Sequence, residues 1–501
     1  MLALLSDSFA SGKSILDKPV AEFFALQVGA GIIYLLTLAE LRRHSTWLTL
    51  GAVILCGLTI RLAQFPAQPV METDFYRYLW DGALAANGVS PYEFSPDDAR
   101  LPLSDEFIPP PVIVPDDSPA SISEETSATL TENVPRVVRN LAEESGGVVH
   151  NVNHPFLRTI YPPTAQATFV AAYFVAPFDI IGLRWIWLGL DIAILGILCW
   201  LLRGGKDTAF RAGVYWLNPL LVKEAFNSAH MELAVIVFAL LALWAAMKYR
   251  GWLSLVLLAL ATGAKIWPVI WLPLFFKRLR RRRGRMFVGI FLFAAVAGLL
   301  TWPILDSRLD TKSGFTAYAG TWKMNDSVHM VIHETCKWVT PSTNAESDLP
   351  TKNEGDSTLP WLTPDMMSKS IAGVILLAFV GWLTWRMRDD DDAGFSTTIM
   401  ASTACLFLIS PTQFPWYFLW LLPLLAIRPL WSLLGLTVTL PIYYLRFPMK
   451  ALSLESSYDY GLVWLEYVPI WILLILEIWW RRRHARRESP LKEDACIAKH
   501  G

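Results

Sequence analysis

The chain has 501 residues, of which 54% are hydrophobic and only 17% charged, with a formal net charge of −1 and a mean hydropathy of +0.38. A soluble protein of this length needs far more surface charge, so an ordinary soluble enzyme is excluded. A balance this near neutrality also carries no electrostatic footprint for nucleic acid. Apolar runs recur between short basic or polar interruptions, which predicts an all-α polytopic membrane protein. The five cysteines (Cys56, Cys199, Cys336, Cys405 and Cys496) show no metal-ligand spacing, and no metal site is expected. The first residues lack the pattern of a cleavable signal peptide.

In chain order, spans are expected at roughly 20–41 and 47–65, with Arg42-Arg43-His44 between them. The bias of Lys and Arg toward the cytoplasm puts that turn inside, so the second span delivers the next segment to the other side. There stands Glu72-Thr73-Asp74-Phe75-Tyr76-Arg77-Tyr78-Leu79-Trp80-Asp81-Gly82. Thr73 suits an N-cap and Asn87-Gly88 a helix stop. In the helix between them, Asp74, Arg77, Tyr78 and Asp81 fall at i, i+3, i+4 and i+7 and share one face. Two carboxylates, a guanidinium and a phenol on one face at a membrane surface form a chemical constellation. Equally, an Asp in a first turn complements the helix dipole in any protein, and an Asp74/Arg77 pair can be purely structural.

Residues 97–155 read as an acidic insert, with eleven acidic against three basic side chains over 97–150. The segment is too polar for lipid and is expected to be partly disordered. Ile160-Tyr161-Pro162-Pro163-Thr164 opens the next apolar run, to about residue 181. If that helix lies in the interface rather than crossing, every basic cluster falls on the cytoplasmic side. The expected layout is then two spans in 1–66, a first extracytoplasmic region in 67–183, central spans in 184–305, a second extracytoplasmic region in 306–368, further spans in 369–480 and a basic cytoplasmic tail in 481–501. The total is about thirteen crossings. The Asp389-Asp390-Asp391-Asp392 run is expected to be a solvated turn.

On this topology one side of the membrane collects Asp74, Tyr161, His230, Glu232, Lys265, Trp322, Asn325, Trp416, Tyr417 and Arg446. Charges at span ends are costly and usually face a cavity or a partner. Lys265 interrupts an apolar stretch, as a cavity-facing cation or as a snorkelling lysine. His230 and Glu232, at i and i+2, do not share a helix face, which argues against a metal pair. Trp416-Tyr417 suits either a sugar platform or an interfacial aromatic belt.

These landmarks carry a resemblance. Asp74 to Gly82 with Asn87-Gly88-Val89-Ser90-Pro91-Tyr92 resembles the first external loop of GT-C superfamily glycosyltransferases. The nearest pattern is that of bacterial multi-span mannosyltransferases that use polyprenyl-phosphate sugars. Tyr161-Pro162-Pro163-Thr164-Ala165-Gln166, Gly263-Ala264-Lys265-Ile266-Trp267-Pro268 and Phe414-Pro415-Trp416-Tyr417 are similar to later landmarks of that group, in the same order. His230-Met231-Glu232 and the length of the acidic insert depart from it. The resemblance implies a GT-C-like bundle with its site in the extracytoplasmic loops and Asp74 as catalytic base. It implies transfer of a hexose, mannose in this group, from a polyprenyl-phosphate donor to a hydroxyl of a glycan or glycolipid, with inversion at the anomeric carbon. Arg77, Lys265 and Arg446 are then expected at the donor phosphate, and Tyr78, Asp81, Tyr161, His230, Glu232, Trp322, Asn325, Trp416 and Tyr417 around the substrates. No cofactor is required, since the phosphate leaves already charged. A carrier of lipid-linked sugars, with internal repeats and broken helices, or a non-catalytic membrane scaffold, tolerant of losing Asp74 and Lys265, are the other classes open to such a chain.

Overall fold

The computed structural model describes residues 2–9, 14–100, 134–203, 205–307, 312–340 and 363–497. Among them helix is the only extended regular structure, and two isolated bridges, Arg158 with Ser313 and Met324 with Thr412, stand outside it. Six helical segments are long and apolar enough to cross a bilayer: Val20–Arg43, Ile180–Leu201, Trp267–Asp306, Pro364–Arg386, Asp392–Ile409 and Glu455–His484. Their outer faces expose rows of large aliphatic and aromatic side chains, such as Ile33, Leu36, Phe291, Leu299, Val374, Leu377, Ile475 and Leu476. In water such a surface is a liability, whereas lipid is its natural solvent. Exposed indoles gather near span ends, with Trp47, Trp385, Trp479 and Trp480 at one end and Trp302 at the other, as expected for rings at a membrane interface.

The expected thirteen crossings are therefore not matched one for one. Four further apolar helices, Trp47–Leu62, Glu232–Met247, Gly251–Thr262 and Pro415–Ile427, are shorter. Glu232–Met247 is buried on nearly every side. A helix apolar all round belongs in the middle of a bundle, where a short span is tolerated. Within the further spans expected over 369–480, the stretch 415–445 is a string of short helical pieces, Pro415–Trp420, Leu422–Ile427, Trp431–Leu434, Leu436–Thr439 and Leu440–Leu445. Pro423 and Pro441 remove ladder donors and clash with the preceding turn, and burial among neighbouring helices permits the breaks.

One other expectation is narrowed and one corrected. The later part of the acidic insert is packed rather than loose: Arg136–Glu144 is a helix whose Val138 and Leu141 are buried, as are Val149 and Val152 beyond it. Residues 101–133, on which the expectation of disorder also fell, lie outside the described residues. The four-Asp run is not simply solvated. Asp389 is buried and paired with Arg280, Asp392 is paired with Arg278, and Asp390 lies 3.4 Å from Arg281.

That clamp belongs to one end of the bundle. There Ala209 N–H donates to Ser45 Oγ at 3.1 Å, Arg428 to Ser396 Oγ at 2.9 Å, Arg481 to the Pro429 carbonyl at 2.7 Å and Tyr249 to the Asp389 carbonyl at 3.5 Å. The basic turns after the first span, around 203–211, at 248–250, at 277–285 and after the last span are thus brought to the same end. The opposite end gathers residues 70–74, 153–164, 222–232, 263–265, 322–325, 411–417 and 443–446, and it carries the candidate site.

Candidate functional site

The Asp74–Ala86 helix is laid on Pro163–Val175. Gly82 makes this possible: a Cβ there would come 2.6 Å from the Phe169 carbonyl oxygen. Asp81, buried between the two helices, accepts from Gln166 Nε2 at 3.1 Å, and Tyr78 stacks on Phe169 at 4.7 Å. Arg77 turns its guanidinium onto the carbonyls of Asn153 and His154, at 3.2 and 3.0 Å. So Arg77, Tyr78 and Asp81, three members of the shared face, brace the helix against its neighbours. Asp74 alone is left to the site.

Helix capping also differs from expectation. Thr73 sits at the N-cap position, but its side chain makes no capping bond and receives the Asn153 amide instead. Glu72 does the capping. Its Oε1 accepts the backbone N–H of Thr73 and of Asp74, at 2.8 and 2.9 Å, and its Oε2 lies 3.0 Å from Nε2 of His230. The segment before it is pinned: Arg184 donates to the carbonyls of Phe65, Ala67, Phe226 and Asn227, and the Asn227 side chain bonds Gln68 O and Val70 N.

His230 follows a π-helical turn, Val222–Asn227, whose Lys223 and Glu224 are fully buried. Such turns are rare and concentrate at functional sites. Glu224 lies 3.6 Å from His230 and accepts from Tyr444. The His230 ring stacks on Trp416 at 4.0 Å, and Trp416 on Phe414 at 4.2 Å. A second stack, Trp267 on Trp420 at 5.0 Å and Trp420 on Tyr417 at 4.5 Å, ends beneath Lys265, whose Nζ is 4.0 Å above the Tyr417 ring. Both Trp416 and Tyr417 are buried, which leaves them no place in an interfacial belt. Lys265 is not snorkelling either: it lies 2.7 Å from Glu232 and keeps 22% of its side chain exposed. Its turn is held by Thr164 N–H on the Gly263 carbonyl at 3.0 Å. His230 and Glu232 do face different partners, as their spacing predicted.

Electrostatics link these groups. Burial, and then the nearby Glu72 carboxylate, raise Asp74 to about 6, against the opposing pull of His230, Asn153 and Lys265. Burial works against ionised Glu72, but the His230 charge and hydrogen bond, with Lys223, hold it down at about 2. Burial alone would lower His230; Glu72, Glu224 and Asp74 overrule it and raise its pKa. His230 and Lys265 both act on Asp74, which places the three in one region. A carboxylate tuned near neutrality suits a general base, and a partly exposed ammonium in the same region suits an anion. Met71, His154 and Ala229, each beside a site residue, hold positive φ of 52°, 48° and 58°. Such strained non-glycine backbone collects at functional sites.

The remaining expected residues scatter more. Tyr161 meets Tyr78 edge-on at 5.1 Å, and Trp322 meets His154 at 4.8 Å, so both flank the Asp74 helix. Asn325 is buried in a closed network with Gln413, Glu466, Tyr458 and Tyr467; with the bridge at Met324, it stitches the second loop to residues 411–413. Arg446 is paired with Glu455 and Asp459. Glu72, Asn153, Lys223, Glu224 and Trp420 were not expected. The signal for Lys223-Glu224 was present, as two charges inside an apolar run. Among the described residues, no group of three His, Cys, Asp or Glu side chains is arranged to hold a metal ion.

The model of the family described as glycosyltransferase family 87 matches residues 159–411, a stretch that holds His230, Glu232 and Lys265 but begins after Asp74. The chain is also similar to an alpha-(1->6)-mannopyranosyltransferase A of Mycobacterium tuberculosis (strain ATCC 25618 / H37Rv), 27% identical over 223 residues. That alignment spans 43% of this chain and 40% of the relative. No solved structure matches.

Proposed function

The chain belongs to glycosyltransferase family 87, and on that premise we propose that it is an integral-membrane hexosyltransferase. It moves a sugar from a polyprenyl-phosphate donor to a hydroxyl of a glycan or glycolipid acceptor on the extracytoplasmic side. Mannose is the sugar favoured, by the name of the mycobacterial relative. The observation that carries this reading is the convergence of Asp74, His230 and Lys265 at the end of the bundle opposite the basic turns. By the cytoplasmic bias of Lys and Arg, that end is extracytoplasmic and the C-terminus cytoplasmic.

The donor's isoprenoid tail lies in the bilayer and its phosphate at the level of Lys265. The acceptor oxygen attacks the anomeric carbon from the face opposite the phosphate, and its proton passes to Asp74. The bond from the anomeric carbon to the phosphate oxygen breaks, and the polyprenyl phosphate leaves with the electron pair. Lys265 offsets the charge that grows there. One displacement of this kind inverts the anomeric carbon, and a leaving group that departs as a phosphate requires no cofactor. Arg77 supports the reaction by holding the 153–154 segment over the Asp74 helix.

The broken stretch at 415–445 would also suit a carrier of lipid-linked sugars, but family membership favours transfer. The test is transfer of labelled mannose from polyprenyl-phosphate mannose by membranes carrying Asp74→Asn. The expected result is a loss of about 100-fold or more with unchanged amounts of inserted protein. Near-parental transfer by that variant removes Asp74 as the base.

A further inference from the structure

Glu72 joins the turn that carries Asp74 to His230, and no step of the proposed displacement uses it. Its Oε1 occupies two amides of the turn that carries Asp74, and its Oε2 faces the His230 imidazole at 3.0 Å. Behind His230 stand Glu224 and Lys223 of the π-helical turn, with Trp416 stacked on its ring and Tyr444 on Glu224. The carboxylate and the imidazole are both buried or nearly so. A buried charge is tolerated only where it is paired and hydrogen-bonded, and here each supplies the other's partner. The pair is assembled across 158 residues, from segments that Arg184 and Asn227 tie together.

We propose that Glu72 and His230 form a built ion pair that positions Asp74 and balances the charge upon it, with Glu72 as a positioning residue rather than a catalytic one. This rests on Asp74 being the base. The two members act on Asp74 with opposite sign: the Glu72 anion discourages a second negative charge beside it, and the His230 cation favours one. Protonated His230 keeps Glu72 ionised, so that Glu72 continues to accept the two amides and the start of the helix stays in place.

The experiment compares pH–rate profiles of the full-length protein in proteoliposomes for the parent, Glu72→Gln and His230→Gln, with Asp74→Asn alongside. Glu72→Gln keeps an oxygen for the amides but removes the anion. Its acid limb is expected to move to lower pH, with kcat reduced about tenfold or more and KM changed by no more than about threefold, the pattern of a lost positioning contact. His230→Gln removes the cation, and its acid limb is expected to move to higher pH. A residue that only supports the fold would lower the yield of active protein and leave both limbs where they are. As a readout independent of turnover, the imidazole resonance of His230 in histidine-labelled protein, assigned by its loss in His230→Gln, is expected to titrate at lower pH in Glu72→Gln than in the parent. Limbs that coincide with the parent in both variants, with Asp74→Asn inactive, overturn the ion-pair inference alone. Transfer by Asp74→Asn overturns the base assignment on which it rests.

Discussion

Lys265 Nζ stands 2.7 Å from Oε1 of Glu232, while the other carboxylate oxygen of Glu232 accepts from the Trp420 indole. Glu232 is almost wholly enclosed, with 2% of its side chain exposed. Lys265→Met therefore strands a buried anion and is expected to cost about 3–5 kcal/mol of stability. Lys265→Met with Glu232→Gln removes both charges and keeps an oxygen for the Trp420 indole, and its thermal unfolding in detergent is expected to return to within about 1–2 kcal/mol of the parent. Transfer is expected to remain about 100-fold down in the double variant, because the ammonium proposed to meet the donor phosphate is gone. Recovery of transfer along with stability would reduce Lys265 to a structural partner of Glu232.

Asp74 predicts opposite effects on activity and stability. Burial and the Glu72 carboxylate raise it to about 6. As the proposed base, Asp74 is lost as pH falls through that value, so kcat/KM is expected to drop about tenfold per unit below about pH 6. The sign for folding is reversed. A carboxyl whose folded pKa is raised binds its proton more tightly when folded, so ionising it costs stability as pH rises from the ordinary carboxylate range through about 6. At pH 7 Asp74→Asn is expected to be inactive and yet to melt a few degrees above the parent, about the shift that 1–2 kcal/mol gives. The gap should close toward about pH 4, where the parent's Asp74 is protonated too. Parallel melting curves across that range would contradict the raised value.

Gly82 tests whether the helix carrying Asp74 must lie where it does. A Cβ at this position meets the Phe169 carbonyl oxygen at 2.6 Å and its carbon at 2.8 Å. These are backbone atoms of the neighbouring helix and have no rotamer to escape into. Gly82→Ala is expected to cost about 1–3 kcal/mol, as overpacking does, and to lower transfer about tenfold or more by moving Asp74 away from Lys265. Unfolding and transfer measured on one purified preparation would separate the two effects.

How far the sequence led can be judged residue by residue. The gathering of Asp74, Lys265 and His230 at one end of the bundle was legible because polar groups at the ends of apolar spans are costly and usually face a cavity or a partner. The shared helical face of Asp74, Arg77, Tyr78 and Asp81 was also legible, but not which neighbour each would meet. Helical periodicity gives directions, and only the docking of Pro163–Val175 turned Tyr78 and Asp81 toward packing, while the 153–154 segment took Arg77. Glu72 stood in plain view two residues before Asp74. Its capping role depends on His230, brought in from 158 residues away, and no local pattern announces that. The breaks at 416–445 were hidden for a similar reason: apolar composition is the same in a straight helix and in a broken one enclosed by its neighbours, and Pro423, Pro429, Gly435 and Pro441 were the local signs.

The orientation in the membrane is open to direct chemistry. Arg281, with 61% of its side chain exposed, lies in the basic clamp at one end, and Lys337, 49% exposed, lies on the segment beyond Trp322 at the other. After replacement of the five native cysteines, Lys337→Cys is expected to react with a membrane-impermeant maleimide in intact cells. Arg281→Cys is expected to react only once the membrane is permeabilised. Both side chains are far from the groups around Asp74, so transfer in each variant should stay within about twofold of the cysteine-free parent, as is usual for exposed positions. The reverse labelling would place Asp74 and Lys265 in the cytoplasm, where sugars are available as nucleotide conjugates, and would remove the physical reason for a lipid-linked donor.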